Sequence, residues 1–247
     1  MRDRTAWPTL SLLVTVTLSA ALAACSRDAG SDAADATANT NATPSEEDRL
    51  ALMLEPTNPV WTERAPDVYY ALFETSRGDF LLEVERALAP IGADRFYNLV
   101  RLGFYDDQRF TRVLEGYIAQ WGLHGDPRVT AAWKDFTMPD DPVVRGNTRG
   151  TLGFAMRGPD DRQTQVYINI GDNSRNDEQG FATFGLVIEG MAEVVDSLYS
   201  GYGNDAGGGM RAGLQGPVEQ GGNQFLLANY PLLDYIVRAR IVDGPAR

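Results

Sequence analysis

The sequence predicts a mainly β domain, a closed eight-stranded antiparallel β-barrel accompanied by two main helices. Three observations lead there. About eight short runs are rich in β-branched and aromatic residues, and most are joined by turns instead of helices. Only two stretches carry the i, i+3, i+4 spacing of an amphipathic helix. A soluble sheet must protect its edges, and closure removes them.

The 247 residues suffice for one large domain or two small ones, and one domain accommodates every element found. The net charge of -12 argues against a nucleic-acid backbone as partner, because phosphates call for clustered Lys and Arg. At the N-terminus, Arg2 and Arg4 precede an apolar run, Leu10 to Leu22, too short to span a bilayer comfortably. The run ends in Leu22-Ala23-Ala24-Cys25, which resembles a bacterial lipobox. That resemblance implies a signal peptide over 1–24, cleavage before Cys25, and lipidation of its sulfur. Ser26 after the cysteine points to the outer membrane of the cell envelope over the inner one, with the protein facing the periplasm. With one Cys and one His (His124), no intramolecular disulfide can form and a zinc site lacks its usual ligands. No cofactor or metal is expected.

From Ser26 to Glu47 the chain is dominated by Ala, Ser, Asp, Asn and Thr and reads as a flexible tether. The tether is expected over 25–66, with a short helix at Asp48 to Leu54, and the folded domain from Asp67 to the end. Strands Val68 to Thr75 and Phe80 to Glu85 flank a turn at Ser76-Arg77-Gly78-Asp79. Ile91 to Leu102 carries helix signals: Pro90 at the start, then Phe96, Leu99 and Val100, and Gly103 past the end. Phe110 to Leu114 and Tyr117 to Trp121 form a second hairpin, followed by a Gly/Pro/Asp-rich connection. Thr151 to Met156 and Gln165 to Ile170 are strands around a polar loop. Ala182 to Ile188 is another. Met191, Val194, Val195 and Leu198 then mark the second helix. The glycine cluster from Gly201 to Gly213 reads as a long loop, lacking the strand that precedes a dinucleotide fingerprint. Asp234 to Val242 alternates as a half-buried strand.

Within the second hairpin, Arg112 and Gln120 lie among apolar strand residues, where a polar group needs a partner or a function. A two-residue turn at Glu115-Gly116 would place them on opposite faces. For them to share a face, the turn must span Glu115 to Tyr117, pairing Leu114 with Ile118 and Arg112 with Gln120.

Seven segments, in order, carry a further resemblance. They begin with Phe73-Glu74-Thr75-Ser76-Arg77-Gly78, Phe96-Tyr97-Asn98-Leu99-Val100, Gly103-Phe104-Tyr105 and Phe110-Thr111-Arg112-Val113. They continue with Gly150 to Met156, Thr164 to Asn169, and Gly180-Phe181-Ala182-Thr183-Phe184-Gly185. From Val68 to Val242 the chain resembles the cyclophilin-type peptidyl-prolyl cis-trans isomerases. The resemblance implies an eight-stranded antiparallel barrel capped by two helices and an isomerase acting on prolyl bonds. It places Arg112 as the cation that donates to the prolyl nitrogen and Gln120 as the residue that holds it or the substrate carbonyl. Ile118, Tyr167 and Phe181 become floor and walls, joined by Tyr117 and Gln165, while backbone near Ala155 and Met156 binds the flanking peptide in extended form. Four positions depart from the family pattern: Thr111 for His, Tyr117 for Phe, Ile118 for Met, and Asn176 for Leu. Thr111 is expected to point away from the pocket; Tyr117 and Asn176 make it more polar. Expected partners are proline-containing polypeptides of the cell envelope and the membrane, through the lipid, with the protein a monomer. The alternative is a cyclophilin-like module that grips proline peptides as a chaperone or assembly factor without catalysis.

Overall fold

The computed structural model describes residues 45–207 and 215–245. The signal segment, Cys25, the first part of the tether and residues 208–214 of the glycine cluster lie outside the described residues.

Helix α1, Glu46–Met53, starts with a capping box. The Ser45 hydroxyl accepts from the Asp48 N–H at 3.1 Å, and Asp48 Oδ2 accepts from the Ser45 N–H at 3.3 Å. After it, Met53, Trp61 and Ala65 are buried in the main core. The Trp61 ring meets Trp133 edge-on at 4.9 Å, and the Trp133 indole donates to the Met53 carbonyl at 2.8 Å. The packed body therefore begins well before Asp67. Segment 45–66 shows little periodicity, but a single Trp buries enough apolar area to hold it.

Strands β1 (Val68–Thr75) and β2 (Gly78–Glu85) pair antiparallel from Val68–Glu85 to Thr75–Gly78. Helix α2, Pro90–Arg101, buries Phe96, Leu99 and Val100 as its spacing predicts. Its N-cap, Ala89, has no side-chain acceptor, so a carboxylate from elsewhere supplies one. Asp141 accepts from the N–H groups of Ile91 (3.0 Å) and Gly92 (2.8 Å). Arg162, itself only 2 % exposed, holds that carboxylate at 2.9 Å.

The remaining strands are β3 (Arg112–Leu114), β4 (Ile118–Trp121), β5 (Thr151–Phe154), β6 (Val166–Asn169), β7 (Thr183–Glu189) and β8 (Ile236–Val242). They form one sheet in the order β3-β4-β6-β5-β7-β2-β1-β8, antiparallel at every pairing. Inside it lie the rings of Phe73, Phe80, Phe96, Tyr105 and Trp121. The eight strands are as expected, but the closed barrel is not: the sheet is an open half-barrel whose end strands, β3 and β8, share no ladder. A single bridge, Arg109 to Tyr235, links the residues just ahead of them. Beyond it, β3 has Gly203 and Asn204 as neighbours in place of β8.

The helical complement also differs. Only a 3-10 turn, Val195–Ser197, forms where the second helix was expected, although Val194, Val195 and Leu198 are buried as the spacing implied. Two adjacent β-branched valines disfavour a longer helix there. Two helices were not anticipated. Helix α3, Pro127–Trp133, lies in the connection after β4 and is capped by Asp126. Helix α4, Gln215–Asn229, is two pieces joined at Gly222, whose backbone (φ 51, ψ -144) is not helical. The carbonyl of Gly125 approaches that kink so closely that a Cβ at Gly222 would stand 2.1 Å from it.

Candidate active site

The β3–β4 hairpin forms one wall of a cleft of about 550 Å³. Its register pairs Arg112 with Gln120 and Leu114 with Ile118, so the turn spans Glu115 to Tyr117 and the two polar side chains share a face. Gly116 takes the positive φ (67°) that lets the chain reverse, and the Tyr117 N–H closes the turn on the Leu114 carbonyl at 2.9 Å.

On that face the polar side chains form a row. The Nε–H of Arg112 donates to Asn204 Oδ1 at 2.7 Å and its Nη1 donates to Gln120 Oε1 at 3.2 Å. Gln120 in turn donates through Nε2 to Gln165 Oε1 at 2.9 Å. With its oxygen turned to the arginine and its nitrogen to Gln165, Gln120 is only 4 % exposed. Tyr117 presents its ring to two guanidinium groups, Arg112 at 5.6 Å and Arg175 at 5.2 Å. All nine of the predicted pocket positions line this one cleft.

The apolar side rests on a polar base. Tyr167 packs edge-on against Phe181 at 6.0 Å, and its hydroxyl donates to Asn147 Oδ1 at 2.7 Å. Burial pushes the Tyr167 phenol far above its ordinary pKa, so it stays a neutral donor. Asn147 also accepts from Asn169 Nδ2 (3.1 Å) and donates to Asp177 Oδ1 (2.7 Å) and the Phe181 carbonyl (2.8 Å). These bonds fix both aromatic walls through one amide. Ala155 and Met156 also line the cleft, and the Ala155 N–H is already engaged by the Gln165 carbonyl at 2.9 Å. A bound peptide would have to use other backbone groups of that pair.

Asn176 lines the cleft, adding polarity beside Phe181. Thr111 is buried outside it, its hydroxyl without a hydrogen-bond partner. His124 also lies outside, accepting from the Asp126 N–H at Nδ1 (3.0 Å) with its ring 5.3 Å from Phe104. Among the described residues no three His, Cys, Asp or Glu side chains gather as a metal would require. Sequence reasoning missed Asn204 and Arg175 as well as the far end of the cleft. There, Lys134 pairs with Glu219 of α4 at 3.6 Å and Arg157 pairs with Asp161 at 2.7 Å. The order Arg175-Asn176 was the one local signal. Nothing in the glycine cluster marks Asn204.

A family model described as cyclophilin type peptidyl-prolyl cis-trans isomerase/CLD matches residues 70–207, more than half of the chain. This chain belongs to the cyclophilin-type peptidyl-prolyl cis-trans isomerase family. Among curated relatives, peptidyl-prolyl cis-trans isomerase A of Dickeya dadantii is 33 % identical over 135 residues, covering 52 % of this chain and 70 % of that one. The peptidyl-prolyl cis-trans isomerase of Acinetobacter baylyi is 34 % identical over 140 residues, covering 51 % and 69 %. Among solved structures, cyclophilin AquaCyp293 from Hirschia baltica aligns with a TM-score of 0.52 at 15 % identity over 83 % of both chains. At that identity the match speaks for the cyclophilin fold alone. The family match ends at residue 207, so α4, with its Gln215 and Glu219 on the cleft, lies outside it.

Proposed function

We propose that this protein catalyses cis-trans isomerisation of prolyl bonds in exported polypeptides, by non-covalent stabilisation of the twisted amide by Arg112. The single observation that carries the reading is Arg112 and Gln120 side by side on the inner face of a cleft whose other wall is Tyr167 and Phe181. An X-Pro amide rotates slowly because the C–N bond has double-bond character, a barrier of about 18–20 kcal/mol. In the twisted state the proline nitrogen regains its lone pair and becomes an acceptor. A donor aimed there binds the twisted amide more strongly than the planar one, and only that difference accelerates the reaction. Arginine suits the role because it stays charged at every working pH and presents a planar array of N–H groups. Gln120 orients it, Ile118, Tyr167 and Phe181 shelter the pyrrolidine ring from water, and Tyr117 caps the outer edge.

In the same reading, Cys25 carries a lipid that holds the domain at the periplasmic side of the outer membrane, where unfolded exported chains are available as substrates. Supporting this is the Leu22-Ala23-Ala24-Cys25 motif after a short apolar run. Mass analysis of the mature N-terminus tests it: a diacylglycerol-modified Cys25 is expected, and an unmodified N-terminus overturns the anchor.

The catalytic claim is tested by initial rates on a proline-switch peptide. Arg112→Ala is expected to lose about ten- to a hundredfold in kcat/KM, or about 1.4–2.7 kcal/mol. Arg112→Lys keeps the charge but not the fork, and should recover only part of that loss. Equal rates for wild type and Arg112→Ala would leave a proline-peptide binding module as the function.

A further inference from the structure

Opposite Gln120, the cleft is bordered by a short segment in two overlapping turns. The Gly203 N–H donates to the Ser200 carbonyl at 2.9 Å and the Asp205 N–H to the Tyr202 carbonyl at 2.8 Å. Asn204 sits between them and takes the Nε–H of Arg112 at 2.7 Å.

Both neighbours of Asn204 are anchored by a second apolar cluster, separate from the main core. On one side the Tyr202 ring lies edge-on to Tyr199 at 5.0 Å and Tyr230 at 5.1 Å. On the other, Ala206 is fully buried with Leu123, Val218, Leu226 and Leu233. Val218 and Leu226 belong to α4. The carboxamide of Asn204 is thus held by packing two residues before it and two residues after it, and Val218, Leu226, Tyr230 and Leu233, which supply part of that packing, lie outside the family match.

We propose that Asn204 is a positioning residue for Arg112, held in place by the satellite core that α4 helps to build. The proposal rests on the reading of Arg112 as the catalytic cation. A guanidinium at the end of a long side chain has several rotatable bonds, and a donor stabilises a transition state only where it is already aimed. Bonds to two different nitrogens, Nε to Asn204 and Nη1 to Gln120, fix the plane of the group and so its direction toward the prolyl nitrogen.

The test compares Asn204→Leu, which keeps the volume and removes the acceptor, with Asn204→Asp, which keeps an acceptor. Asn204→Leu should lower kcat about tenfold with KM for the peptide changed less than about twofold, because ground-state contacts persist while transition-state aim is lost. Asn204→Asp should recover most of that loss. The Arg112 Nε–H proton resonance, assigned by its disappearance in Arg112→Lys, gives a readout independent of turnover. It should be protected from water exchange in wild type and Asn204→Asp, and unprotected in Asn204→Leu. Leu226→Ala, which alters only the satellite core, should lower kcat in the same direction and add nothing to Asn204→Leu in the double variant. An active wild type with Asn204→Leu at the same rate, or Asn204→Asp no faster than Asn204→Leu, overturns the positioning role. Additive losses in the double variant overturn the role of the satellite core. A wild type that binds the peptide without accelerating its isomerisation overturns the parent reading instead, while the resonance still reports whether Asn204 holds the arginine.

Discussion

Tyr167 owes its place in the cleft to what stands behind it. A Cβ added at Gly153 would lie 3.0 Å from the Tyr167 hydroxyl and 2.9 Å from the Ala182 carbonyl, so only glycine leaves room for the ring and its bond to Asn147. Gly153→Ala should therefore push the ring out of its slot. The expected outcome is a loss of catalytic efficiency about as large as that of Tyr167→Ala, read from kcat/KM, without loss of the folded state. His124 shows a residue-scale effect of another kind. Burial holds its imidazole below the usual pKa, against the opposing pull of the Asp126 and Asp107 carboxylates. The unfolded chain takes up a proton near pH 6.5 and the folded one only below that, so this group's contribution to stability is complete above about pH 6.5 and is lost as pH falls. Thermal denaturation between pH 7.5 and 5.5 should show a falling midpoint, and His124→Gln should show a smaller fall over the same range.

At the scale of elements, the α2 N-terminus is capped from a distance by Asp141, and Arg162 holds that carboxylate in a buried pair. Removing Arg162 leaves the Asp141 carboxylate buried with only the α2 N–H groups to hold it and takes a partner from Asp140 as well, and breaking a buried pair in this way typically costs about 3–5 kcal/mol. Arg162→Met should lower the denaturant midpoint accordingly, while Arg162→Met with Asp141→Asn should recover part of the loss. What the sequence made legible follows the same physics. The β3–β4 register could be derived because strand side chains alternate with period two, and a shared face for Arg112 and Gln120 admits only one turn length. The helix expected at Met191 was over-read from spacing alone: Val194 and Val195 fill the right places but shorten it to a 3-10 turn. Helix α4 was illegible because glycines interrupt its pattern and its kink depends on the Gly125 carbonyl, far away in the chain. Asn204 escaped for the same reason, since its role comes from tertiary packing and not from its neighbours in sequence.

Across the whole molecule, the strands that carry the cleft fall within the family match, while segments on both sides of it, β8 among them, complete the fold. Trp61 and Met53 extend the main core ahead of the first strand, and α4 contributes Val218 and Leu226 to the second apolar cluster and two residues to the cleft. Trp61→Ala should cost about 3–5 kcal/mol of unfolding free energy, the loss expected for a buried Trp and not for a residue in a loose tether. The open half-barrel, where a closed one was expected, also follows at this scale. The end strand β3 borders Gly203 and Asn204, so the edge that could have closed the sheet instead frames the site. The central claim, that Arg112 accelerates rotation and does not merely bind proline, is tested most directly by exchange NMR on an X-Pro peptide with its affinity measured in the same samples. Wild type should give cis-trans exchange cross-peaks at substoichiometric protein, and Arg112→Ala should bind the peptide with similar affinity while the exchange rate read from those cross-peaks falls about ten- to a hundredfold. Cross-peaks of equal strength with both proteins would contradict the account.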